Sequence, residues 1–145
     1  MIDVRKFKLE HLERFKPESF IPQLGYEMAA NFNDPTKDIV SLLDINGEVI
    51  AFAGINHLRT GVGEVWVIRS EFIKFHKFSF YKTCLRLVEF CLEIMDLHRL
   101  ELAVNVNHPE WFKWAEKLGF KFEGKQERYD YLGNDHLIYV RFNNG

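Results

Sequence analysis

The chain has 145 residues, 47% hydrophobic and 28% charged, so it can bury a core and reads as one globular domain over residues 1–145. A formal net charge of −2 argues against wholesale wrapping of nucleic acid, and no apolar run approaches the roughly 18 residues of a membrane span. Met1 to Glu10 carry charge throughout without an apolar leader segment, and Cys84 and Cys91 make no disulfide framework, so a reducing, cytoplasmic location is expected.

Val4 to Phe7 alternates with charge and predicts a short first strand. Leu9, Leu12 and Phe15 then recur at helical spacing, and Gly25 to Phe32 suggests a second short helix stopped by Asn33-Asp34-Pro35. Ile39 to Ile45 reads as a strand, Asn46-Gly47 as a hairpin turn, and Glu48 to Ile55 as the returning strand. Thr60 to Gly63 supplies another turn before a third strand, Glu64 to Ile68. A long helix follows, with Phe80, Cys84, Leu87, Cys91 and Ile94 on one face and Lys82, Arg86, Glu89, Glu93 and Asp96 on the other. Both thiols are therefore expected to be buried. Leu100, Leu102, Val104 and Val106 alternate strictly and mark a strand; Pro109 suits the first turn of the next helix. Trp111, Trp114, Ala115 and Leu118 form that helix's apolar stripe, and Gly119 stands where a left-handed C-terminal cap belongs. Strands over Lys121 to Tyr129 and His136 to Phe142, turning at Leu132 to Asp135, close the chain.

The order β-α-α-β-β-β-α-β-α-β-β predicts an α/β (α+β) fold. It has a mixed, mostly antiparallel sheet of six to seven strands, helices on both faces and one parallel crossover between residues 64 and 106. Fourteen Phe, five Tyr and three Trp let such a domain build its core from rings, a stacking platform being the other use for them.

Leu100 to Phe120 runs strand, Asn107, amphipathic helix, then Glu116-Lys117-Leu118-Gly119-Phe120. With Glu64 to Leu85 ahead of it, this order resembles the GNAT family, the Gcn5-related N-acetyltransferases. The aromatic, glycine-poor stretch at Glu64 to Ser70 is also similar, more faintly, to GNAT-like proteins of tailed phages, among them a T7-like internal virion protein. The resemblance implies a GNAT-like sheet whose parallel strands, 64–68 and 100–106, diverge at their C-terminal ends. It implies acetyl-CoA as cofactor, with its pantetheine arm on the main-chain N–H groups of Val67 and Ile68. Its pyrophosphate would lie at the start of the long helix, on Lys77, Phe78, Ser79 and Phe80, with Ser79 as the cap.

Two departures from the family's pattern stand out. Lys74 to Phe80 contains no glycine where the family places a glycine-rich turn, so the backbone is less approachable by a phosphate. Many GNATs carry a proton-donating Tyr four residues before the Gly of the "LGF" ending; here that residue is Ala115. Weak binding and slow transfer are expected. Glu64 and Glu101 are the candidate general bases, or else solvated sheet-edge carboxylates. Asn105 and Asn107 are candidates for holding the amine substrate, although Asn107 is equally legible as initiating its helix.

Cys84, Cys91 and His98 recur every seven residues, but no tight ligand pair supports a metal site. Lys74, Lys77 and Lys82 interleave with Phe75, Phe78 and Phe80, a pattern that suits a protein partner or single-stranded nucleic acid; without RNP1 glycines, nucleic acid is disfavoured. Two functions follow as expectations. The chain is an acetyl-CoA-dependent N-acetyltransferase acting on an amine, or a catalytically inactive GNAT-fold binding or virion protein.

Overall fold

The computed structural model describes residues 2–15 and 38–143. In chain order the elements are β1 (Asp3–Lys6), α1 (Leu9–Glu13), β2 (Asp38–Leu43), β3 (Val49–Arg59) and β4 (Val62–Arg69). A 3-10 turn (Glu71–Phe75), α2 (Lys77–Glu93), β5 (Arg99–Asn105), α3 (Glu110–Lys117), β6 (Lys121–Gln126) and β7 (His136–Phe142) complete them. The strands form a seven-stranded mixed sheet in the order β1-β2-β3-β4-β5-β7-β6, mostly antiparallel, with β4 and β5 as its parallel pair. The helix expected over 25–32 lies outside the described residues. The chain divides into two compact units, Met1–Asn56 with Trp66–Thr83, and His57–Val65 with Cys84–Gly145.

In the first unit, β1, β2 and β3 make the expected meander, with Lys6 paired to Val40 and Val40 to Ala53. The hairpin turn arrives earlier than the sequence suggests. Asp44 Oδ1 accepts the amides of Asn46 (2.8 Å) and Glu48 (2.9 Å), which ends β2 at Leu43 and leaves Ile45 exposed. Gly47 takes the left-handed conformation that this turn requires (φ +79°). Leu42, Ile50 and Phe52 are wholly buried, and the rings of Phe7 and Phe15 pack on Phe52 with centroids 5.7 and 4.8 Å away.

The inward residue of α1 is a histidine, while Leu9 is exposed. Nδ1 of buried His11 accepts the Lys8 amide at 3.1 Å and lies 2.8 Å from Ser41 Oγ. An acceptor nitrogen carries no proton, so the Ser41 hydroxyl donates to it and Nε2 holds the hydrogen. After β4, the fully buried Ser70 donates its amide to Ile50 O (2.9 Å), and its hydroxyl oxygen accepts from Phe72 N (2.9 Å). That side-chain bond starts the 3-10 turn, an element the apolar pattern does not announce.

In the second unit, a two-residue turn at Thr60 and Gly61 joins β3 to β4, both strands running closer to it than expected because Gly61 adopts φ +78°. β4 pairs in parallel with β5 through Val62↔Arg99, Gly63↔Leu100 and Glu64↔Glu101, where that ladder ends. On its other edge β5 pairs with β7 along its whole length, from Arg99↔Phe142 to Asn105↔His136. Leu100, Leu102 and Val104 are buried as their alternation predicts.

Gly119 closes α3 as expected, with φ +88°. Its amide bonds to Glu116 O (3.0 Å) and that of Phe120 to Ala115 O (3.1 Å), the paired reverse bonds of a Schellman cap, with Ala115 and Phe120 buried together. The expectation that β6 reaches Tyr129 is corrected. The strand stops at Gln126, because the amides of Arg128 and Tyr129 bond to Asp135 Oδ1 and Asn134 O of their own loop, both at 2.9 Å.

Along α2, Phe80, Cys84, Val88, Cys91 and Leu92 are buried, and Lys82, Arg86, Glu89 and Glu93 are exposed. The helix ends at Glu93, so Ile94 leaves the apolar stripe and is exposed. No helix among the described residues is long and apolar enough to cross a membrane.

Two outcomes follow. The Trp66 indole lies where a Cβ on Gly54 would stand. Gly54→Ala should therefore destabilise the protein by about 1–3 kcal/mol through overpacking, read from the shift of its denaturant midpoint. Burial, with the charges of Arg14 and Lys8, holds His11 below its ordinary 6.5, Glu10 opposing them in part. A lowered folded-state value means that the unfolded chain binds the proton first. The His11 contribution is thus complete above pH 6.5 and lost as pH falls through the folded-state value. The unfolding free energy should rise with pH just below neutrality, and in His11→Asn that rise should flatten.

Candidate active site

The second unit gathers most of the chemistry. Glu64 and Glu101 are partners in the parallel ladder, which places both on one face of the sheet. Two carboxylates side by side repel, and each is given its own donor. Arg99 Nε donates to Glu101 Oε2 at 2.9 Å, while the rest of its guanidinium forks onto Glu123 at 2.8 and 2.5 Å. That fork holds Arg99 above its ordinary range and Glu123 below its own.

Glu64 receives a different partner. The Tyr129 hydroxyl, from the loop between β6 and β7, donates to Glu64 Oε2 at 3.2 Å. Partial burial in a residue that stays 46% exposed, then the charge of Glu64, its hydrogen bond and the charge of Glu101, push the Tyr129 phenol up to about 12. Tyr129 therefore keeps its proton throughout the physiological range and acts as a donor. Sequence reading leaves this residue unplaced, because it assigns Tyr129 to a strand and a strand register gives no hint of Glu64. The turn-forming run Asp130 to Asp135 is the signal that marks Tyr129 as a loop residue.

That loop folds about one side chain. Asp130 Oδ1 accepts the amides of Leu132 (3.0 Å) and Asn134 (2.9 Å), and Oδ2 accepts from Asn134 Nδ2 (3.1 Å) and lies 3.0 Å from His136 Nε2. Burial alone would raise the Asp130 carboxyl, but the hydrogen bonds from His136, Asn134 and Leu132 outweigh it and hold the group below its usual range. Asn105 and Asn107 stand beside this loop. Asn105 Oδ1 accepts the Asn107 amide at 2.9 Å, and Asn107 Nδ2 donates to Asn134 Oδ1 at 3.1 Å. Both side chains thus carry structural bonds at the end of β5.

The residues expected to hold the cofactor lie in the first unit. Val67 and Ile68 are half-buried in β4. α2 begins at Lys77, so Ser79 is its third residue and not its cap, and its carbonyl accepts Thr83 Oγ1 at 2.8 Å. The Phe80 amide makes the bond to His76 O (2.8 Å), so the amides of Lys77, Phe78 and Ser79 precede the helical ladder. No acidic residue occupies that first turn. Amides at a helix start beside Lys77, with no acidic side chain in the turn itself, fit an anion despite the missing glycines, although Asp44 Oδ2 stands 3.7 Å from Nε2 of the preceding His76.

Phe80 is buried, whereas Phe75 and Phe78 are 69% and 73% exposed. Their faces are met by Lys74 Nζ and Lys82 Nζ, each 5.3 Å from a ring centroid. The rings do not fold inward over the strand. Among the described residues, no group of three or more His, Cys, Asp or Glu side chains is placed to hold a metal ion.

No protein-family model and no curated protein sequence matches the chain. Solved structures do. A GNAT-family acetyltransferase from Bacillus anthracis superimposes with a TM-score of 0.78 at 15% identity, over 99% of this chain and 96% of that one. Mutant forms of the spermidine/spermine N-acetyltransferase SpeG from Vibrio cholerae give 0.76 at 16% identity, over 99% and 95%. A chimera of the Vibrio cholerae spermidine N-acetyltransferase SpeG and hSSAT gives 0.75 at 14%, over 98% and 96%. Coverage this complete at such low identity is a likeness of fold. The seven-stranded sheet with its one short parallel ladder is the fold of the GNAT acetyltransferases.

Proposed function

We propose that this chain moves an acetyl group from acetyl-CoA to an amine. The observation that carries the reading is the Tyr129 hydroxyl on the Glu64 carboxylate at 3.2 Å. Acyl transfer to an amine needs a group that takes a proton from the amine as its new C–N bond forms. It also needs one that returns a proton to the sulfur as the C–S bond breaks. Glu64 is the acceptor, directly or through a water. Tyr129 is the donor, replacing the helix tyrosine whose place Ala115 occupies. Acetyl-CoA supplies the activated carbonyl. Val67 and Ile68 main-chain groups would hold its pantetheine arm, and the first-turn amides of α2 with Lys77 its pyrophosphate. The amine is assigned to the Asn105 and Asn107 end of β5. Glu101, already bonded to Arg99, assists by its charge and is not the base.

The structural neighbours named for spermidine acetylation make spermidine the first acceptor to try. A second reading rests on exposed Phe75 and Phe78: that the chain binds a protein partner, a virion component among the candidates, through this aromatic and basic patch.

Calorimetric titration with acetyl-CoA should show weak, saturable heat in the millimolar range; no heat there would favour the partner-binding reading. With an accepted amine in saturating amount, Glu64→Gln should lower kcat by about a hundredfold to ten-thousandfold, the usual worth of a positioned acid or base. Glu101→Gln should cost far less. Equal losses in the two variants would show that Glu64 has no special part.

A further inference from the structure

Residues 127–135 carry Tyr129 but no helix or strand, so no backbone ladder fixes where its phenol points. The loop closes on itself through Tyr129 N to Asn134 O and Gly133 N to Asp130 O, both at 2.9 Å. Asp130 is the centre of that closure, its side chain only 7% exposed. Among its partners, Leu132 and Asn134 belong to the loop itself. His136 belongs to the sheet: it is the first residue of β7, paired with Asn105 of β5 and Gln126 of β6.

An ionised carboxylate only accepts, so the His136 Nε2 that lies 3.0 Å from Asp130 carries the proton. The same imidazole packs on the Tyr129 ring, with centroids 5.1 Å apart at 49°. Its Nδ1 is buried and has no hydrogen-bond partner among the described residues. A ring with one nitrogen committed to Asp130 and the other buried in packing is set to hold its neighbour, not to trade protons with a substrate.

We infer that His136 is the positioning residue for Tyr129: anchored in the sheet and tied to Asp130, it holds the phenol ring so that the hydroxyl stays on Glu64. The kinetic consequence rests on the acetyl-transfer reading; the geometric one does not. The groups facing the phenol are Glu64 on β4, Glu101 on β5, His136 on β7 and, beside it in the loop, Asp130.

The test is ionisation of Tyr129 followed by NMR of Cζ-labelled tyrosine at pH about 10.5, its signal assigned by its loss in Tyr129→Phe. In the parent protein Tyr129 should remain mostly protonated at this pH, because its phenol is pushed up to about 12. In His136→Ala the phenol should leave Glu64 and return toward its ordinary value of about 10, becoming mostly ionised. His136→Gln, whose amide can reach Asp130 as Nε2 does, should restore most of the parent behaviour.

In turnover, His136→Ala should lower kcat about a hundredfold, the cost of misplacing a reacting group by about an ångström, with the KM for acetyl-CoA unchanged. Should His136→Ala fail to fold, His136→Phe keeps a ring and loses only the Asp130 bond, and Tyr129 should again ionise early. A Tyr129 that stays protonated in the Ala or Phe variant overturns the inference, whatever the activity. Early ionisation in a protein without acetyl transfer would instead overturn the proposed function and leave the positioning role standing.

Discussion

Two glutamates meet at the end of a parallel ladder three pairs long, Glu64 on β4 opposite Glu101 on β5, and the arrangement around them answers the repulsion between those charges. Arg99 takes Glu101, and the Tyr129 hydroxyl takes Glu64. The two donors are not equivalent. A guanidinium holds its carboxylate as an ion pair, whereas a phenol is a neutral donor, and the proposed function rests on that difference in assigning proton transfer to Glu64. Because β5 is held along its other edge by β7 over its full length, Glu101 stands on a rigid strand.

In the proposed reading, where Ala115 stands in place of a helix tyrosine, the proton donor comes from a different element. Tyr129 arrives on a loop, and a loop residue is only as well placed as its anchors. Asp130 draws the loop tight, Asn107 braces it through Asn134, and His136 ties it to β7. The fold is shared with acetyltransferases, but these side-chain bonds belong to this chain, and function resides in the side chains carried on such a frame.

The first unit shows the same economy with polar groups. His11, Ser41 and Ser70 are buried, and each is satisfied by a named partner, since an unpaired polar group there would cost about 1–3 kcal/mol. Ser70 matters most for the path of the chain. By bonding back to β3 and capping the 3-10 turn, it sets where α2 begins. That start falls at Lys77, two residues before Ser79, so the unladdered amides belong to Lys77, Phe78 and Ser79.

Local sequence pattern determined the elements whose signals are local. The alternation from Leu100 to Val104, the two-faced helix with Cys84 and Cys91 inside, and the Gly119 cap each depend on residues a few positions apart, and each is where the sequence puts it. The order of those elements, with one good signature at Glu116 to Phe120, was enough for the fold. Side-chain partners far apart in the chain were not legible. Nothing in the sequence of Glu64 and Tyr129 says that 65 positions apart they share a hydrogen bond, nor that His11 would be buried on Ser41 in place of Leu9. Even the ends of β2 and β6 were set by backbone amides bonding to the Asp44 and Asp135 side chains and the Asn134 main-chain carbonyl, a competition with the ladder that hydrophobic periodicity does not register. Periodicity reports which face of an element is apolar; the meeting of particular polar atoms is decided only when the elements have packed.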